Sequence, residues 1–186
     1  MESFILKSKV PRKNIHHISI KELVDTVIEL QQIEKIEVNK IRIGNIAARM
    51  RMIILYDLAK KYDALVCGTE NKSENLLGYF TLFGDQASDI EPIEHLYKTQ
   101  VYQLAQYLKL PESVIKQQPS AGLWTGQTDE GQFGFTYEEA DHVLYLHFEK
   151  NLPVEKIEEL GYSNPKKILD WHDKNLFKHR TPYTLH

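Results

Sequence analysis

Cysteine is almost missing: Cys67 is the only one in 186 residues, so an internal disulfide is excluded and a reducing compartment is expected. No apolar run approaches the roughly 20 residues that span a bilayer. Neither sign of charge dominates. The 23 Lys+Arg stand against 26 Asp+Glu, a formal −3, which withholds the counterion-driven affinity of a dedicated nucleic-acid binder. The opening MESFILKSKVPRKN has no apolar core before a small-residue cleavage site, so it does not read as a signal peptide and a cytoplasmic location is expected. The eight histidines lack His/Cys ligand spacing, and His16 and His17 on a strand point to opposite faces, so zinc is not expected. Repeats and low-complexity stretches are absent too. What is present, 42% hydrophobic and 26% charged residues, suits one domain spanning 1–186 with a sizeable core.

Along the chain, the first forty residues read as a helix fragment, a short strand (IHHISI) and a linking segment. Residues 45–61 form a helix, with Ile46, Met50, Ile53, Ile54 and Leu58 at helical spacing and Asn45 as N-cap. Ala64, Leu65, Val66 and Cys67 form an uninterrupted apolar run before Gly-Thr, the pattern of a buried parallel strand. Cys67 is then a buried core thiol. A less distinct strand covers 88–93. Tyr97, Val101, Leu104 and Leu108 set a helix that Pro111 stops. Residues 119–134 hold four glycines and read as a loop of a length that usually serves function. Thr136 and Glu139 predict a capping box for a helix through Glu149. Pro153 opens the next helix, Gly161 closes it, and Asn164-Pro165 starts the last. Helix and strand in alternation argue for α/β with a parallel sheet. Nothing before Ile15 reads as a first strand, so the chain is expected to enter inside a βα unit.

Chemistry concentrates in a few places. In Gly68-Thr69-Glu70-Asn71-Lys72-Ser73-Glu74, Gly-Thr after a strand lets backbone approach a phosphate, and Glu74 reaches a hard cation; a plain strand-to-helix loop fits equally. Asp85 and Asp89 suit ribose hydroxyls or a cation, although an Asp-rich turn explains them by itself. Arg49 and Arg51, on an otherwise apolar helix, suit a phosphate or carboxylate, or else a dimer contact. Lys98 at a helix start opposes the helix dipole, and a phosphate on the free amides there suits both. The 120–130 loop, with Trp124, reads as a lid or as a surface Ω-loop. Lys178, His179 and Arg180 form a basic cluster, also readable as compensation of a helix C-terminus.

Taken in order, the segments GNIAARMRM, LVCGTENKSE, GYFTLFGDQASD, PIEHLYKTQVYQLA, PSAGLWTGQTDE and FKHRTP resemble the ammonia-dependent NAD synthetases, from about Ile15 to Pro182. The resemblance implies a Rossmann-like adenine nucleotide α-hydrolase fold of α/β class, with a parallel sheet, an N-terminal truncation and a helical C-terminal portion. It implies a homodimer that uses ATP and Mg²⁺ to amidate deamido-NAD with ammonia through an adenylate. Carried onto this chain, Thr69, Lys98 and Ser120 serve ATP, Lys98 and Ser120 being the catalytic pair. Glu74 ligates Mg²⁺, and Arg49, Leu82, Asp85, Asp89 and Lys178 bind deamido-NAD. The sequence departs from the family's pattern in several places. Its Ser-Gly-Gly-x-Asp-Ser phosphate loop is absent, Leu82 stands where many members have Lys, Gln132 replaces a common Glu, and Phe177 a common His. No glutaminase domain lies in these residues, so free ammonia is the implied nitrogen source. The chain alone is expected to be poorly active. The alternative is a non-catalytic nucleotide-binding or dimerisation module derived from the same family.

Overall fold

Apolar residues at helical spacing carry most of the chain into helices. The computed structural model describes residues 10–34 and 39–185. The helix fragment expected at the start falls largely outside them, apart from a 3-10 turn at Arg12–Asn14. IHHISI forms no strand, a correction to the expectation, and its His16 ring stacks on Tyr62. The supposed linking segment instead contains helix α1, Lys21–Leu30, which packs against helix α2 and buries Ile28.

Helix α2, Lys40–Tyr62, begins a turn earlier than expected. Asn45 is not its cap. It lies within the helix, and its Oδ1 accepts a hydrogen bond from Thr81 Oγ1 at 2.9 Å. Only Gly44 and Ala48 of α2 are buried, while Ile41, Ile53 and Leu55 are at least half exposed. The helix ends at Asp63, in the left-handed conformation at φ 49°.

Residues 64–67 and 88–90 run parallel but pair only briefly. Gly68 N–H donates to Ile90 O (2.9 Å) and Ile90 N–H to Val66 O (3.2 Å), around a single parallel bridge between Cys67 and Ile90. The apolar run is not buried on both faces: Val66 is buried, whereas Leu65 is 66% exposed and Cys67 is exposed. The buried-thiol expectation is therefore corrected. A parallel strand is buried on both faces only when elements pack on both sides of its sheet, and among the described residues this one pairs through a single bridge.

Helix α3, Lys72–Leu77, opens with a complete capping box between Asn71 and Glu74. Helix α4, Lys98–Tyr107, matches its expected span, and Pro111 leads into the single turn α5, Glu112–Ile115. The 119–134 stretch is not wholly loop, because Thr128 caps a short helix α6, Asp129–Phe133. Helix α7, Tyr137–Leu144, continues as a π-helical turn, Tyr145–Glu149. Of the capping box foreseen there, one half forms: Thr136 Oγ1 accepts from Glu139 N–H (3.2 Å), while the Glu139 carboxylate takes the Ser163 and Asn164 amides, both at 2.8 Å. That link seats α8, Val154–Glu159, and α9, Pro165–Asn175, which opens on its proline. A 3-10 segment, Leu176–Arg180, follows.

The core lies where α3, α4, α7 and α9 meet. Phe133 is its centre, with the rings of Tyr79, Phe135, Tyr137 and Trp171 at 4.6–5.4 Å, mostly edge-on. No described helix is long and apolar enough to cross a membrane.

Candidate functional site

Small residues on α2 create the space from which the site is built. A Cβ on Gly44 would stand 2.5 Å from Leu123 Cδ1, so only glycine admits the loop that follows Ser120. Ala48 in turn lets the 81–84 turn approach the helix. Between α2, this turn, residues 66–69, the loop and the end of α9 lies a cavity of about 640 Å³. Arg49, Thr69, Leu82, Asp85 and Lys178 line it together, with Arg51 beside them and Tyr79, Phe80, Trp124, Trp171 and Phe177 as aromatic walls.

Arg49, Asp85 and Lys178 are each held in place. Arg49 donates from Nε and Nη2 to Leu82 O at 3.3 and 3.1 Å. Asp85 Oδ1 accepts from Thr81 N–H (2.9 Å), closing a turn in which Phe83 takes φ 57°. Lys178 reaches back from the tail to donate to Gly78 O (2.6 Å) and Phe80 O (2.9 Å), its ammonium 5.2 Å from the Phe80 ring centre. Burial lowers the Lys178 pKa, against the opposing pull of Asp85 and Glu70. The lysine thus forms part of the cavity wall and does more than compensate a helix end.

Lys98 and Glu74 meet away from this lining, as a 2.7 Å ion pair with both side chains less than a fifth exposed. The phosphate expected on free amides at the start of α4 has no place there, because those amides are taken. Tyr97 N–H goes to Gln100 Oε1 (2.9 Å), Lys98 N–H to Ser73 Oγ (2.8 Å) and Thr99 N–H to Asp141 Oδ2 (2.8 Å). Among the described residues, no three His, Cys, Asp or Glu side chains converge as a metal cage. Glu74 brings one hard carboxylate, its Oε1 paired with Lys98 and its Oε2 accepting from Asn71 N–H (3.2 Å). That is compatible with Mg²⁺, which usually takes one or two carboxylates and completes its shell with phosphate and water.

Ser120 and Asp89 lie outside the cavity lining, and both are exposed. Ser120 Oγ accepts from Gly122 N–H (3.1 Å), and Asp89 Oδ2 accepts from Val66 N–H (2.8 Å), which fastens the short parallel pair.

Several residues carry no assigned role in the sequence reading. Glu70 has a buried Oε1 without a hydrogen-bond partner. Burial first, then the charges of Asp85, Glu74, Glu91 and Glu94, push its pKa to about 8. Tyr79 donates its hydroxyl to Gln132 Oε1, Gln127 Nε2 donates to the same oxygen (3.0 Å), and Gln127 Oε1 accepts from Leu123 N–H (2.8 Å). Asp129 is buried, accepting from Ala121 N–H (3.0 Å) and the Tyr137 hydroxyl (3.1 Å). The loop is therefore pegged at both ends. Its crowding of Gln, Thr and Asp was the available signal.

The family model for NAD synthase matches residues 8–182. The chain is 46% identical over 168 residues to the NH(3)-dependent NAD(+) synthetase of Thermoplasma volcanium, covering 90% of this chain and 65% of that protein. It is 48% identical over 143 residues to that of Thermoplasma acidophilum, covering 77% and 57%. It thus spans about two thirds or less of the length of these curated relatives. Among solved structures, the NMN synthetase from Francisella tularensis superposes with a TM-score of 0.75 at 36% identity, covering 92% of this chain and 66% of that one. The NH3-dependent NAD synthetase from Campylobacter jejuni gives 0.66 at 35%, covering 91% and 64%. On the strength of a family match running through nearly every described element, this chain belongs to the NAD synthase family.

Proposed function

We propose that the protein amidates deamido-NAD to NAD with free ammonia, consuming ATP with Mg²⁺ and passing through an adenylate of the nicotinate carboxyl. The convergence of Arg49, Thr69, Leu82, Asp85 and Lys178 on one aromatic-walled cavity carries this reading. Arg49 and Lys178 supply positive charge for the substrate's phosphates and carboxylate. Asp85 and Asp89 accept hydrogen bonds from ribose hydroxyls, and Leu82 gives the ring an apolar face. Lys98, with Thr69 and Ser120, serves the ATP phosphates. Glu74 would hold Mg²⁺, which shields phosphate charge when bound. Catalysis is then mainly positioning and charge neutralisation. The loop with Leu123 and Trp124 keeps water from the activated carboxyl, whose hydrolysis would waste the ATP.

The fold belonging with this reading is a Rossmann-like adenine nucleotide α-hydrolase α/β domain, in which the Cys67–Ile90 bridge is part of a parallel sheet. Residues 1–186 form one NAD synthetase-like domain. A homodimer through α2 belongs to the same reading, and Ile53, half exposed on that helix and outside the cavity lining, is available to it. The protein works in the cytoplasm.

The test is NAD formation from deamido-NAD, with ATP, Mg²⁺ and ammonium each omitted in turn, and with nicotinate mononucleotide run in parallel because one structural relative is an NMN synthetase. A low yield that needs all components supports the proposal, since the family's Ser-Gly-Gly-x-Asp-Ser loop is not among these residues. Amidation of the mononucleotide alone would reassign the substrate. Binding of both nucleotides with no product would favour a non-catalytic nucleotide-binding module.

A further inference from the structure

Asp141 is a carboxylate placed where an apolar residue belongs. It lies on α7 among Tyr137, Ala140 and Leu144, all buried, and is itself 3% exposed. Taking a carboxylate out of water costs free energy unless hydrogen bonds replace the solvent. Here they do. Asp141 accepts from the Ser73 hydroxyl and from Thr99 N–H (2.8 Å), and the oxygen of Ser73, fully buried, accepts from Lys98 N–H (2.8 Å). Burial raises the Asp141 pKa and these hydrogen bonds pull it back down. Buried polar groups of this kind are often replaceable by apolar ones without loss of stability. The acid here does something an apolar side chain cannot: it ties three helices together through the first turns of α3 and α4.

Those two turns carry Glu74, next to Ser73, and Lys98. We propose that Asp141 is a positioning residue which, through Ser73 and the Lys98 and Thr99 amides, holds the start of α4 against the start of α3 so that the Lys98 ammonium meets the Glu74 carboxylate. Its value to catalysis rests on the reading that Lys98 and Glu74 serve ATP and Mg²⁺. The mechanical link does not, and it is measured without nucleotide.

The experiment is lysine acetylation of the intact chain, with the rate at each lysine read by mass spectrometry. In the unsubstituted protein Lys98, 17% exposed and ion-paired, reacts far more slowly than Lys116, 74% exposed. Asp141→Asn keeps the shape but sets an amide N–H₂ against a donor, and should accelerate Lys98 about tenfold, as expected for losing one hydrogen bond to a charged group. Ser73→Ala breaks the same link from the other side and gives the same result should the Asn variant fold poorly. Val143→Ala, a truncation on the same helix at a fully buried residue, loosens packing without touching the link and should leave Lys98 slow. An unchanged Lys98 rate in both Asp141→Asn and Ser73→Ala overturns the proposal, as does an equal acceleration in Val143→Ala. Failure of Mg-ATP to protect Lys98 in the unsubstituted chain would instead count against the nucleotide reading.

Discussion

Glu70→Gln should flatten the protein's loss of stability with rising pH. The Glu70 Oε1 is buried with no partner, and Asp85, Glu74, Glu91 and Glu94 all act against its ionisation. Its pKa accordingly stands at about 8 in the folded chain against 4.5 when free. A carboxyl whose folded pKa is the higher one binds an extra proton in the native state between those two values. Its contribution is therefore fully present below about pH 4.5 and is lost as pH rises through about 8. Each pH unit in that window is worth at most about 1.4 kcal/mol. Part of the side chain still meets solvent, which screens the repulsion, so about 1–2 kcal/mol is expected in all. Urea unfolding of both proteins at about pH 5.5 and about pH 8.5 measures it. The parent should lose about 1–2 kcal/mol more than Glu70→Gln between the two conditions. Equal losses would rule Glu70 out as the source, because the slope would then arise from other groups.

Gly44→Ala places a Cβ 2.5 Å from Leu123 Cδ1, so it should displace the loop, shift Trp124 fluorescence and cost about 1–3 kcal/mol in thermal unfolding. Lys178→Met strands the Gly78 and Phe80 carbonyls and should cost about 1–3 kcal/mol of stability, with weaker binding of deamido-NAD by calorimetry. Leu82→Lys adds a positive charge to the cavity lining and should tighten deamido-NAD binding by up to about fivefold in the same assay.

What could be read from the sequence follows the range of the interactions involved. Helix α4 and its stop at Pro111 were legible because periodicity and proline act locally. The start of α2 was misplaced because an asparagine ahead of an apolar stripe reads as a cap, and only the fold shows Asn45 inside the helix and engaged by Thr81. The brief pairing of 64–67 with 88–90 was overestimated, since an apolar run reports burial capacity and says nothing about how many neighbours a strand acquires. Arg49, Thr69, Leu82, Asp85 and Lys178 were singled out through ordered motifs, and the fold places them around one cavity. Asp141 escaped because its partner Ser73 lies 68 residues away. The available sign was an acid on the apolar face shared by Tyr137, Ala140 and Leu144.

Recognition of deamido-NAD, on the proposed function, rests on the basic wall of the cavity. Isothermal titration of deamido-NAD into this chain and into Arg49→Ala tests it most directly. Saturable binding is expected, weakening about tenfold or more in the variant, or about 1.4 kcal/mol. No saturable binding to the parent chain, or equal affinity in the two proteins, would contradict it.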